Sequence, residues 1–131
     1  MKRILVIDDD TSQRELLKTA LENAGYEVME APDGQAGLRM FCQEPCDLVI
    51  TDIFMPKEDG IETILHLKIQ SPTVKIIAVS GGGISTRYGA TFQAHEALEA
   101  AKIAEVDRTL KKPIVIPRLL TTVDELLNVK G

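Results

Sequence analysis

Residues 4–10 read Ile4-Leu5-Val6-Ile7-Asp8-Asp9-Asp10, four apolar residues followed at once by three carboxylates. So short a continuous apolar run suits a strand buried on both faces of a parallel sheet. The same kind of run recurs at Leu48-Val49-Ile50 and at Ile76-Ile77-Ala78-Val79. Two further strand candidates, Glu27-Val28-Met29-Glu30-Ala31 and Arg108-Thr109-Leu110-Lys111, are more polar and read as edges. Strands one, three and four are therefore central, with two and five outside. Among doubly wound sheets the order 2-1-3-4-5 satisfies that constraint.

Helical patterns fill the gaps. Ser12 and Glu15 have capping-box spacing. Leu16, Leu17, Ala20, Leu21 and Ala24 form an apolar stripe, and Gly25 supplies the stop. A weaker helix is expected from Gly34 to Gln43. Ile61, Ile64 and Leu65 begin a third stripe, and Ala90, Ala94, Ala97, Leu98 and Ala101 a fourth. Ile116, Leu119, Leu120, Val123, Leu126 and Leu127 make the last, with Pro117 in its first turn. Strand then helix, five times, predicts an α/β fold with right-handed crossovers and helices on both faces. Ligands on such sheets sit at the carboxyl ends of the strands, near the topological switch.

Asp8, Asp9 and Asp10 follow strand one, Asp52 follows strand three, Ser80 strand four and Lys112 strand five. Taken singly, each has a plain structural role: a capping turn, a capping aspartate, a strand-end serine, a surface lysine. Taken together they converge on one sheet edge. Two unit charges about 6 Å apart repel by roughly 3 kcal/mol at an effective dielectric of 20. Asp8, Asp9 and Asp52 must then protonate or hold a cation. Hard oxygen ligands without a nearby histidine or thiolate favour Mg²⁺, which commonly shares its coordination with phosphate oxygens. A carboxylate beside such a metal can attack a phosphoryl group. Lys112 and Ser80 would supply a counter-charge and a hydrogen bond to the dianion so formed.

The chain's 131 residues fit one domain spanning 1–131, and its 44% apolar content supports a packed interior. No apolar run approaches the roughly 20 residues a membrane helix needs, and Met1-Lys2-Arg3 leads directly into a strand rather than a secretory signal. A cytoplasmic protein without membrane insertion is expected. The net charge of −5 and scattered Lys and Arg suggest no direct nucleic-acid contact. Cys42 and Cys46 lack redox or zinc spacing and read as reduced, partly buried thiols. His66 and His95 read as surface residues without metal-ligand spacing.

Ile4 to Asp10, Asp52-Ile53-Phe54-Met55-Pro56 with Gly60, and Lys112-Pro113 together resemble the receiver domains of two-component response regulators, over almost the whole chain. The resemblance implies a flavodoxin-like (βα)5 fold and a signalling domain that catalyses only its own phosphorylation and dephosphorylation. It implies that Asp52 is the phosphoacceptor, that Asp8 and Asp9 organise Mg²⁺ and that the Phe54 backbone carbonyl completes the metal site. Ser80 matches the switch residue, Lys112 the phosphoryl-contacting lysine, and the Lys112-Pro113 bond is expected cis. A sensor histidine kinase or a phosphotransfer protein would donate the phosphoryl group, and an unidentified protein would receive the signal through a face for which Leu98, Ile103 and Val115 are candidates, core being the equal alternative for each. No output domain is expected within the chain, which ends at Gly131.

Two departures stand out. Thr109 occupies the place where such domains often carry Tyr or Phe, which removes the familiar hydroxyl-to-aromatic coupling. The segment from Ser80 to Lys112 is long and begins with Gly81-Gly82-Gly83, so Tyr88 or Phe92 is a candidate to move in place of the missing aromatic. With Phe54, Gly81 and Gly82 around the site offering nothing to orient water, a persistent phosphoryl group is expected. Two other readings remain. Asp8-Asp9-Asp10-Thr11 also fits a haloacid-dehalogenase-type Mg²⁺ phosphatase with Asp8 as nucleophile and Asp10 as acid, and a degenerate interaction module would leave the site unphosphorylated.

Overall fold

The computed structural model describes residues 1–53, 60–80, 84–85, 92–93 and 106–128. Their elements are β1 (Arg3–Ile7), α1 (Thr11–Asn23), β2 (Glu27–Ala31), α2 (Gly34–Gln43), β3 (Leu48–Asp52), α3 (Gly60–Gln70), β4 (Lys75–Ser80), β5 (Ile84–Ser85), β6 (Phe92–Gln93), β7 (Arg108–Lys111) and α4 (Ile116–Leu127). The main sheet is wholly parallel, in the order β2-β1-β3-β4-β7. Setting aside the short antiparallel pair β5–β6, this is the expected order 2-1-3-4-5.

Burial explains the placement. Ile4, Leu5, Val6 and Ile7 of β1 are buried, as are all of β3 and all of β4 after Lys75. The outer strands β2 and β7 are mostly half-buried or exposed. Strict alternation then sends β1 side chains to two cores. Leu5 and Ile7 join Val49, Ile76, Ile64 and Leu67 on the face covered by α2 and α3. Ile4 and Val6 join Ile50, Ile77, Leu17 and Val123 on the face covered by α1 and α4.

The helix boundaries refine the sequence expectation. Asp10, not the Ser12–Glu15 capping box, starts α1: its carboxylate accepts from the Gln13 N–H at 3.2 Å. The three carboxylates crowd the strand end, and turning Asp10 onto the free amides of the first turn satisfies both. Only Leu17 and Leu21 of the predicted α1 stripe are buried; Leu16 and Ala24 face outward, because α1 meets a flat sheet with a narrow strip of its surface. Gly25, at φ 99°, ends the helix as expected: the Gly25 and Tyr26 amides donate back to Glu22 and Leu21. Helix α2 spans the predicted residues and is capped by Asp33, which accepts from the Ala36 amide at 2.8 Å.

On α3, Ile64 and Leu67 are buried, whereas Leu65 faces outward. On α4, Leu119 and Val123 are buried and the rest of the predicted stripe packs partly against them. Val115 is exposed rather than core. Cys42 is exposed, which corrects the expectation that both thiols are partly buried; Cys46 is half-buried, and burial pushes its thiol up to about 11. His66 lies on the surface as expected. Within the predicted stripe from Ala90 to Ala101 the described residues Phe92–Gln93 form β6 rather than helix; the rest of that helix, with Phe54, Gly81–Gly83, Tyr88, His95 and Ile103, falls outside the described residues, as do the side chains of Ile61 and Phe92.

Candidate functional site

The parallel sheet delivers its strand ends to one edge. Each of β1, β3, β4 and β7 runs in the same direction, so the residues closing them meet. The edge is held by main-chain bonds beyond the ladders. The Asp8 amide donates to Ala31 O at 3.1 Å, Ile53 N to Val79 O at 2.8 Å and Lys112 N to Ser80 O at 2.8 Å. These bonds set the turns from which the functional side chains project. The Lys112-Pro113 peptide that leaves this edge is cis, as expected.

The Lys112 ammonium lies 2.8 Å from Asp52 Oδ2 and 3.4 Å from Asp8 Oδ2. Carboxylate oxygens of Asp8, Asp9 and Asp52 lie within 4.8 Å of one another. Asp8 and Asp52 are buried, Asp9 is half-buried and Lys112 keeps 20% of its side chain exposed. The five predicted residues Asp8, Asp9, Asp52, Ser80 and Lys112 thus share one strand-end edge, with contacts joining the lysine to two of the acids. The predicted Phe54 carbonyl lies outside the described residues.

Burial pushes the Asp8 carboxyl above its ordinary range, and the neighbouring Asp52 charge adds to this; the Asp10 amide, donating to Asp8 Oδ1 at 2.9 Å, and Lys112 act the other way without prevailing. Burial depresses the Lys112 ammonium, but Asp52 and Asp8 outweigh it and the net shift is upward. Among the described residues, Lys112 is the cation that contacts both Asp8 and Asp52. Among the described residues, the buried Ser80 hydroxyl oxygen has no hydrogen-bond partner. A buried hydroxyl left unsatisfied is costly, and Ser80 closes the strand next to β3, which ends in Asp52. Three hard oxygen donors with no histidine or cysteine in their group fit Mg²⁺ better than a soft metal.

Asp10 spends its carboxylate on the helix cap and is exposed, the plain capping role that the Asp8–Asp10 turn offered in the sequence. One feature escaped the sequence reading. Arg14 donates from Nη1 to the Asp8 carbonyl at 2.7 Å and from Nε to Glu30 Oε1 at 3.1 Å. Its one signal in the sequence is the spacing of a cation one helical turn beyond Asp10.

Comparison with known proteins bears on the family and the fold. The chain is 41% identical over 81 residues to the response regulator receiver protein CpdR of Brucella abortus, covering 62% of this chain and 68% of that protein. It is 37% identical over 86 residues to the probable transcriptional regulator ycf27 of Galdieria sulphuraria, covering 66% of this chain but only 34% of that protein. The chain therefore spans about a third of that longer relative. It superposes on the response regulator protein TrrA of Thermotoga maritima, solved in complex with Mg(2+)-BeF, with a TM-score of 0.80 and 33% identity, over 97% of this chain and 100% of that one. The sequence profile described as "Response regulator receiver domain" matches residues 4–124, and with that extent of match the chain belongs to the response regulator receiver domain family.

Proposed function

We propose that Asp52 accepts a phosphoryl group from the phosphohistidine of a sensor histidine kinase or phosphotransfer protein, and that the modified domain signals by changed protein contacts. The observation that carries this reading is Lys112 Nζ at 2.8 Å from Asp52 Oδ2, inside a cluster of two buried acids and the half-buried Asp9. Asp52 is held as a nucleophile by strand β3, which is buried throughout. One of its carboxylate oxygens forms a bond to phosphorus as the donor's P–N bond breaks. The electron pair stays on the imidazole nitrogen, which takes up a proton. Lys112 neutralises charge on the transferred group, and the Ser80 hydroxyl, which has no partner among the described residues, donates to one of its oxygens.

Asp8, Asp9 and Asp52 would hold Mg²⁺, with the Phe54 carbonyl as a further ligand. When bound, the ion offsets the repulsion between the acids and the incoming phosphoryl oxygens. That the Thermotoga maritima relative was solved in complex with Mg(2+)-BeF supports Mg²⁺ as the ion. The family match over residues 4–124 supports treating 1–131 as one receiver domain. No described helix is long and apolar enough to cross a membrane, which is compatible with the cytoplasmic location we propose.

Intact mass after incubation with acetyl phosphate and Mg²⁺ tests the assignment. A gain of one phosphoryl group in the wild type and none in Asp52→Asn is expected. Labelling that persists in Asp52→Asn would move the nucleophile to Asp8, and labelling of neither protein by acetyl phosphate or a phosphohistidine donor would favour an unphosphorylated interaction module.

A further inference from the structure

The start of α1 carries a device that neither the phosphoryl chemistry nor the core explains. Arg14 is nearly buried, with 13% of its side chain exposed. Its guanidinium spans two acceptors on two strands: the Asp8 main-chain carbonyl at the end of β1 and the Glu30 carboxylate near the end of β2. Glu30 is also held by Lys18 Nζ at 3.3 Å, one turn further along α1. Hydrogen bonding from Arg14 holds the Glu30 carboxyl below its usual range. The Asp8 amide is tied to Ala31 and the Asp8 carboxylate to the Asp10 amide. With its carbonyl tied to Arg14, every polar group of Asp8 is fixed by a neighbour.

A planar guanidinium suits this task because its donors lie in one rigid fork. Lysine in its place would offer a single flexible point charge. Glu30 shares its charge between Arg14 and Lys18, and what sets Arg14 apart is its second contact, to the Asp8 carbonyl. We propose that Arg14 is a positioning residue that orients Asp8, and through it the Mg²⁺ site, with Glu30 as its anchor on β2. This rests on the assignment of Asp8 as a Mg²⁺ ligand. Groups behind a ligand that fix its orientation commonly change metal affinity by tenfold or more when removed.

The test is Mg²⁺ affinity by NMR titration of the full chain, comparing wild type, Arg14→Gln and Lys18→Gln. Both substitutions remove one positive charge from the same carboxylate. Only Arg14 also reaches the Asp8 carbonyl. If the fork acts by position, Arg14→Gln weakens Mg²⁺ binding about tenfold while Lys18→Gln does not weaken it. If the two cations act only through their field, both variants bind Mg²⁺ equally or more tightly than wild type, and the proposal is overturned. Should Arg14→Gln fail to fold, Arg14→Lys keeps the charge and loses the fork; undiminished affinity there overturns the proposal as well. Wild type that binds no Mg²⁺ would instead remove the metal assignment itself, and this inference with it.

Discussion

Replacing Lys112 by methionine keeps an unbranched stem against the sheet edge and deletes the only cation that contacts both buried acids among the described residues. At an effective dielectric of 20, its attraction to Asp52 at 2.8 Å is about 6 kcal/mol and to Asp8 at 3.4 Å about 5 kcal/mol. Those are gross values. Desolvating the ammonium offsets much of them, and breaking a buried pair by removing one partner costs about 3 kcal/mol in net stability. The loss is expected at pH 7 in EDTA, where the acids are left to repel one another. Its pH dependence has a definite sign. Asp8 already has a raised carboxyl because of burial, and losing Lys112 raises it further. An acid whose folded-state value is raised contributes stability below its unfolded value that is lost as pH rises through the folded one. The deficit of Lys112→Met therefore shrinks as pH falls from 7 toward 4. Mg²⁺ at a hundred times its dissociation constant contributes about 2.7 kcal/mol through linkage to either protein; with the competing ammonium gone the variant binds the ion more tightly than wild type, so at equal Mg²⁺ the deficit shrinks. Urea unfolding at pH 7 and pH 5, with and without Mg²⁺, reads all three effects. A deficit that is the same under every condition would mean that lost packing, not charge, dominates, and the electrostatic reasoning would be refuted.

Other expectations are simpler. Ser80→Ala removes a buried hydroxyl that has no partner among the described residues, so chemical denaturation of the free protein should show unchanged or higher stability, by up to about 1 kcal/mol; a clear loss would reveal a bond that the hydroxyl makes in solution. Gly37→Ala gains helix propensity of about 1 kcal/mol, but its Cβ would press on Ile7 Cδ1 and meet Ile7 Cγ1 at 2.9 Å. Overpacking of about 1–3 kcal/mol should win and lower the melting temperature, and a raised one would show that Ile7 yields freely. Alkylation at pH 8 should mark Cys42 well before Cys46, because a thiol near 11 is about one part in a thousand thiolate there; equal labelling by peptide mass would contradict the burial of Cys46.

The strands were legible because each is local and strongly patterned. Ile4 to Ile7, Leu48 to Ile50 and Ile76 to Val79 admit no half-exposed placement, and the polar character of Glu27–Ala31 and Arg108–Lys111 sends them to the rim. The helix faces were less legible. Leu16 and Leu65 belong to plausible stripes, yet both are exposed, since apolar periodicity does not say how wide a strip the sheet will cover. The Ser12–Glu15 spacing misled for a related reason: Asp10 competes for the same free amides and sits closer to the strand end.

For the site, residue types and their order after the strands sufficed to select Asp8, Asp9, Asp52, Ser80 and Lys112, because a parallel sheet carries all its strand ends to one side. Which contacts they make was decided only by the folded chain. The bridge from Lys112 to both Asp52 and Asp8 joins residues 60 positions apart in one case, and the Arg14 fork needs the ends of β1 and β2 side by side. Hydrophobic pattern is written residue by residue and determines the layers. Hydrogen bonds and ion pairs act over about 3 Å, so their partners exist only once packing has fixed the distances.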